Sequence, residues 1–206
     1  FEIWEAVERG ELEGGSGTGA RLDSSGLRSL SIFVPVGDGN IIAGMHKGFR
    51  DLEELGLLER LPRLFGVQAE GSAAIANAFR EGGGQIRPVD ARTLADSIRV
   101  DFPADGLRAL RACMATGGAY LTVSDGEILE ALAALGRAGV FAEPAAAAAY
   151  AGLAAALRQG LLTPEDPALV LSTGGGLKDV GAAQRAVAEA PVIEPSLQAL
   201  KTLMRL

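Results

Sequence analysis

The chain has 206 residues, 48% of them apolar, with few aromatics and a formal net charge of −7. That length and composition suit one sizeable α/β core and exclude a disordered chain; the acidic balance and the lack of a basic stripe argue against a nucleic-acid partner. Cys113 is the only cysteine, so no internal disulfide can form, which fits a reducing, cytoplasmic setting.

The first residue is Phe, and "FEIWEAVERG" reads as a helix already under way, which predicts a piece excised from a longer chain. "GELEGGSGTGARLDSSG" follows, and residues 10–30 read as a mobile, exposed connection. A strand over 31–36 comes next, then a helix over 41–55 that Gly56 stops as a left-handed residue. A second strand is expected at 64–69, with Gln68 and Glu70 either reaching a site or simply ending it. Ser72 is placed to cap a helix over 73–81, which Gly82, Gly83 and Gly84 end.

Residues 85–103 lack a helical period and contain Pro88 and Pro103, so loop or short strand is expected. A helix over 104–116 and a strand over 119–123 follow. "SDGE" at 124–127 fits a capping box, with Ser124 as N-cap and Glu127 reaching back. Pro144 suits the first turn of a helix over 145–159, and its alanine tract predicts close packing on a sheet rather than a membrane span. The strand "ALVLS" (168–172) leads to "TGGGLKD", a helix at about 180–190 and a last helix over 195–205.

Short apolar strands alternating with helices predict an α/β fold, a buried parallel sheet flanked by helices. Ligands in such sheets bind beyond the carboxyl ends of the strands. Two of those ends are rich in glycine. At Gly37-Asp38-Gly39-Asn40 a strand turns into a helix: either the glycines serve the geometry of the turn alone, or unpaired N–H groups at the positive end of the helix dipole offer an anion site. Asn40 is expected to cap that helix, and Asp38 must turn its carboxylate away from a bound dianion. The turn matches neither a P-loop nor a G-x-G-x-x-G fingerprint. At "STGGGLKD" (172–179), Ser172 and Thr173 offer hydroxyls and no side chain stands between the strand end and whatever sits above it.

Together, "FEIWEAV", "VPVGDGNIIAGMHKGFRDLEELGLLERLPRLFGVQAEGSAA", "TLADSI", "ALRACMATGGAYLTVSDGEIL", "GVFAEPAAAAAYAGL" and "STGGGLKDV" resemble the threonine synthase family among the fold-type II pyridoxal-phosphate enzymes, in family order. The resemblance implies a tryptophan synthase β-like fold, of which residues 1–206 are the C-terminal part of an incomplete large domain. It implies pyridoxal 5'-phosphate as cofactor, with the backbone of Gly37, Asp38, Gly39 and Asn40 around its phosphate and Thr173 at its pyridine nitrogen. Gly175 stands where the family usually has His or Ser. Ala95, Asp96 and Ser97 are placed near the rim, and Glu143-Pro144 beside the cofactor.

The implied reaction converts O-phosphohomoserine and water to threonine and phosphate. A related threonine or serine ammonia-lyase (dehydratase), or a non-catalytic binding half, are the alternatives. The family's Schiff-base lysine lies in an N-terminal half that is absent here. The chain has only Lys47, Lys178 and Lys201; Lys47 reads as solvated and Lys178 as a structural ion pair with Asp179 or a neighbour. No catalytic lysine is therefore named, and the fragment alone is expected to be inactive. Its expected partners are an amino-acid substrate, the missing half and, as a homo-oligomer, further copies; no nucleic acid, membrane or metal is expected. His46 reads as a surface residue, Cys113 as inert and buried, and Tyr120 and Tyr150 as packing residues.

Overall fold

A computed structural model describes residues 1–12, 27 and 29–205. Most of the connection expected to be mobile at 10–30 lies outside those described residues.

Among the described residues, four strands form one parallel sheet: β1 (Ser31–Pro35), β2 (Arg63–Ala69), β3 (Tyr120–Val123) and β4 (Ala168–Val170). Their spatial order is β3-β2-β1-β4. Ser31 pairs with Arg63 on one side and Ala168 on the other, and Gly66 pairs with Tyr120. Among the described residues the helices include α1 (Glu2–Glu8), α2 (Asn40–Glu54), α3 (Ala74–Arg80), α4 (Gly106–Ala115), α5 (Asp125–Arg137), α6 (Pro144–Arg158), α7 (Val180–Arg185) and α8 (Leu197–Met204).

Side chains alternate across a strand, so one sheet serves two cores. Ile32, Val34 and Leu64 enter a core with Phe49 and Leu52 of α2, Ile75 of α3 and Leu110 of α4. Phe33, Phe65 and Val67 face the other way, toward Ile128 of α5, the alanines of α6 and Ala182 of α7. The alanine tract packs against the sheet as expected. At Gly152 the approach is so close that a Cβ would lie 2.3 Å from Val67.

Most caps follow the sequence. Gly56 ends α2 at φ 71°, with Leu57 N donating to Leu52 O. Ser124 and Glu127 form the capping box of α5, and Pro144 opens α6. Two expectations fail. The N-cap of α2 is Gly39, and Asn40 is already helical. Ser72 does not cap α3: its hydroxyl is buried and bonds to Ile98 O and Val100 N. The acceptor for the α3 N-terminus comes from the neighbouring strand, where buried Gln68 takes Ile75 N at 3.0 Å and Ala76 N at 2.9 Å. Its side chain therefore neither reaches a site nor ends β2.

β4 and α7 are shorter than the expected 168–172 and 180–190, and residues 85–103 form a loop containing only a 3₁₀ turn, Asp96–Ile98. Among the described residues no helix is long and apolar enough to cross a membrane.

Candidate functional site

The strand order contains a reversal. From β1 the chain adds β2 and β3 on one side, then returns to place β4 on the other. The helix after β1 packs on one face of the sheet and the helix after β4 on the opposite face. The loops following these two neighbouring strands therefore diverge and leave a crevice at their carboxyl ends.

A cleft of about 280 Å³ lies there. Gly37, Asp38, Gly39, Asn40, Ser97, Glu143, Thr173 and Lys178 all line it. Gly37–Asn40 of the first glycine turn and Thr173 of the second, far apart in sequence, thus line one cleft, whereas Ser172 and Gly175 do not line it. Of the rim trio only Ser97 lines it. Ala95 is fully buried in the core, and Asp96 pairs with Arg99 at 2.6 Å.

The floor is glycine-rich backbone at a helix start. The N-terminus of α2 leaves its first-turn N–H groups without helical acceptors. Gly39 adopts φ 94°, and a Cβ there would lie 2.6 Å from the Ala109 methyl. A Cβ on Gly37 would meet Ile98 Cα at 3.1 Å and Ser97 O at 3.2 Å, so the glycine keeps the strand end tight against the 3₁₀ turn. Asp38 bonds to the 104–105 segment. Its Oδ1 accepts from Ala104 N at 3.0 Å and its carbonyl from Asp105 N at 2.9 Å. The carboxylate is thereby committed to a neighbouring loop.

The opposite wall is the turn after β4. Glu143 N donates to Gly174 O and Gly176 N to Phe141 O, each at 2.9 Å, and Ala142 and Gly175 form an isolated antiparallel bridge. These bonds hold the exposed Thr173 beside the start of α6. Glu143 is 5% exposed. Its carboxylate accepts from Ser97 Oγ at 3.3 Å and from Lys178 Nζ at 3.4 Å. Lys178 is thus in the expected ion pair, but with Glu143; Asp179 instead caps α7 through Ala182 N. The spatial closeness of Glu143 and Lys178 was the feature sequence did not reveal, because it depends on the 141–143 and 174–176 segments lying side by side.

The remaining lysines lie elsewhere. Lys47 pairs with Asp51 at 2.6 Å on the outside of α2, and Lys201 is exposed on α8. His46 departs from the surface reading: it is half-buried in a groove with Arg108 and Arg111 of α4, and burial, then the Arg50 charge, lowers its pKa. Cys113 is fully buried, and burial pushes its thiol up to about 12. Tyr120 is buried against Phe79 and Tyr150 is half-buried, both as packing residues. Among the described residues no cluster of metal-ligating side chains occurs.

A glycine-rich helix start and the Thr173 turn thus line one switch-point crevice of a parallel α/β domain, the place where such folds bind ligands. Residues 11–174 match the family described as "Pyridoxal-phosphate dependent enzyme", and the chain belongs to that family, whose cofactor is pyridoxal phosphate. It is 38% identical over 176 residues to threonine synthase of Methanocaldococcus jannaschii, covering 84% of this chain and 44% of the relative. Among solved structures it resembles threonine synthase from Escherichia coli, with a TM-score of 0.60, 21% identity, and coverage of 87% of this chain and 44% of that one. It also resembles the processed threonine deaminase isoform 2 of Solanum lycopersicum, with a TM-score of 0.64, 18% identity, and coverage of 91% and 48%. The fold is that of the fold-type II enzymes. The chain spans less than half the length of these relatives.

Proposed function

We propose that this chain is the C-terminal part of a cytoplasmic threonine synthase, which converts O-phosphohomoserine and water to threonine and phosphate. The observation that carries the reading is the meeting of Gly37–Asn40 and Thr173 in one cleft, in a chain whose curated relatives are threonine synthases.

The residues fit pyridoxal phosphate. Gly37 and Gly39 bring backbone N–H groups to the cleft floor with no side chain in the way, while the Asp38 carboxylate is held by Ala104 N. The phosphate would lie on these amides, at the positive end of α2. Thr173 would meet the pyridine nitrogen with a hydroxyl, which does not force that nitrogen to carry a proton as a carboxylate would. When bound, the cofactor supplies an electron sink for carbanions next to the amino-acid carbon. This chain's part is to hold that ring from both ends, with Ser97 and Glu143 forming the wall between them.

Among the described residues, Lys178 is the only lysine lining the cleft, and it is engaged by Glu143. The lysine that attaches the cofactor would therefore belong to a part of the protein outside these residues, and the chain alone would be inactive. A second reading, a threonine or serine ammonia-lyase, draws support from the likeness to a further threonine deaminase crystal structure, at 27% identity and a TM-score of 0.54.

Purified complete protein, loaded with pyridoxal phosphate, separates the two. Threonine and phosphate formed from O-phosphohomoserine, with little keto acid from threonine, is the expected result. Rapid keto-acid release from threonine with no phosphate release selects the lyase. Failure to bind the cofactor refutes both.

A further inference from the structure

The wall between the two ends of the cleft contains a buried negative charge. Glu143 occupies the N-cap of α6, yet its side chain makes no capping bond. It is instead turned into the cleft, where it is 5% exposed and meets one hydroxyl, Ser97, and one cation, Lys178. Room for it depends on Gly174: a Cβ there would lie 2.0 Å from Glu143 Oε1 and 2.9 Å from Lys178 Nζ. A buried carboxylate lining the same cleft as an anion cradle is unfavourable for anion binding unless its charge is balanced.

We propose that Lys178 is a charge-balancing, positioning residue, whose ion pair with Glu143 makes the cleft able to accept an anionic ring. This rests on the cofactor reading above and goes beyond it by giving the pair a role. Among the described residues, Lys178 supplies the only side-chain cation lining the cleft. Asp38 is committed to Ala104 N and Asp179 to Ala182 N, so neither is placed to compete for Lys178. Without the ammonium, Glu143 would repel a phosphorylated ligand and would tend to place a proton on a pyridine nitrogen held near Thr173, against the neutral contact that the hydroxyl provides.

The two members of the pair then have opposite effects on affinity, which a purely structural tie would not produce. The experiment is a fluorescence titration of the complete protein with pyridoxal phosphate, giving a Kd that does not depend on turnover, with thermal melts run alongside. Lys178→Gln is expected to weaken binding about tenfold. Glu143→Gln is expected to leave it unchanged or tighten it, and the double variant to return to within about threefold of wild type. Lys178→Arg, which keeps the charge, should remain close to wild type.

A Lys178→Gln protein that binds as wild type overturns the proposal. So does a double variant no better than Lys178→Gln, or a Glu143→Gln protein weakened as much as Lys178→Gln. In each of these cases wild-type binding leaves the cofactor reading standing. Wild-type protein that does not bind pyridoxal phosphate overturns both.

Discussion

At the scale of single residues, the cleft depends on backbone conformations that only certain side chains allow. Gly39 sits at φ 94° with its missing Cβ facing the Ala109 methyl. Gly39→Ala combines a left-handed penalty of about 1–2 kcal/mol with that overlap. The expected result is a lower urea midpoint and weaker pyridoxal-phosphate binding, measured by equilibrium denaturation and titration. A variant with an unchanged midpoint would refute the strain argument. Cys113 makes the opposite point, a reactive group rendered inert. Burial raises its thiol from the ordinary 9.0 to about 12, with smaller opposing effects from Gly66 and Tyr120. The native protein is expected to resist alkylation at about pH 8 and to react once denatured. The unfolded thiol ionises near 9.0 and the folded one only near 12, so this group's contribution to stability is complete below pH 9.0 and is lost as pH rises toward 12. Burial also raises Tyr120, which adds to the same alkaline decline.

At the scale of elements, the caps decide which helix starts are legible. The start of α5 was readable because Ser124 and Glu127 are close in sequence. Ser124→Ala is expected to cost about 1 kcal/mol in urea denaturation near neutral pH. Burial alone would raise the Glu127 carboxyl, but the Ser124 N–H and hydroxyl and the Arg158 charge outweigh it and hold the group below 4.5. That contribution is therefore present above 4.5 and lost as pH falls below it, so the difference between wild type and Ser124→Ala should shrink in acid. The start of α3 was misread for a physical reason. Ser72 occupies the local position of a cap, but its hydroxyl is used by Ile98 and Val100, and the acceptor arrives from Gln68 in β2. Local sequence shows candidates, while the competition for them is settled by packing. Gln68→Leu removes the acceptor for two buried N–H groups and is expected to cost about 1–3 kcal/mol. A loss under about 0.5 kcal/mol would mean those donors find another partner.

At the scale of the whole molecule, the fold class and both ends of the cleft were legible, because apolar strands and glycine turns are local signals. That Gly37 and Thr173 line one cleft was not derivable from either turn. It follows from the β3-β2-β1-β4 order, which puts β4 next to β1 and sends their helices to opposite faces. The same order leaves β4 at an edge, with only three residues and partial exposure, where a parallel sheet normally has cover on both faces. Elsewhere on the surface, Phe141 is 52% exposed and Leu177 83%, and α8 buries none of its residues although Leu197, Leu200 and Leu203 recur along it. On the proposed reading these surfaces are covered by the remaining part of the protein, which also brings the cofactor-attaching lysine. Expressed alone, residues 1–206 should then self-associate in size-exclusion chromatography with light scattering and form no threonine from O-phosphohomoserine. The complete protein should be well dispersed, and supplying the remaining part in trans should reduce the self-association. A monodisperse isolated chain that binds pyridoxal phosphate covalently and turns over substrate would refute this, because Lys178, which alone among the described lysines lines the cleft, would have to leave Glu143 to serve as the attachment point.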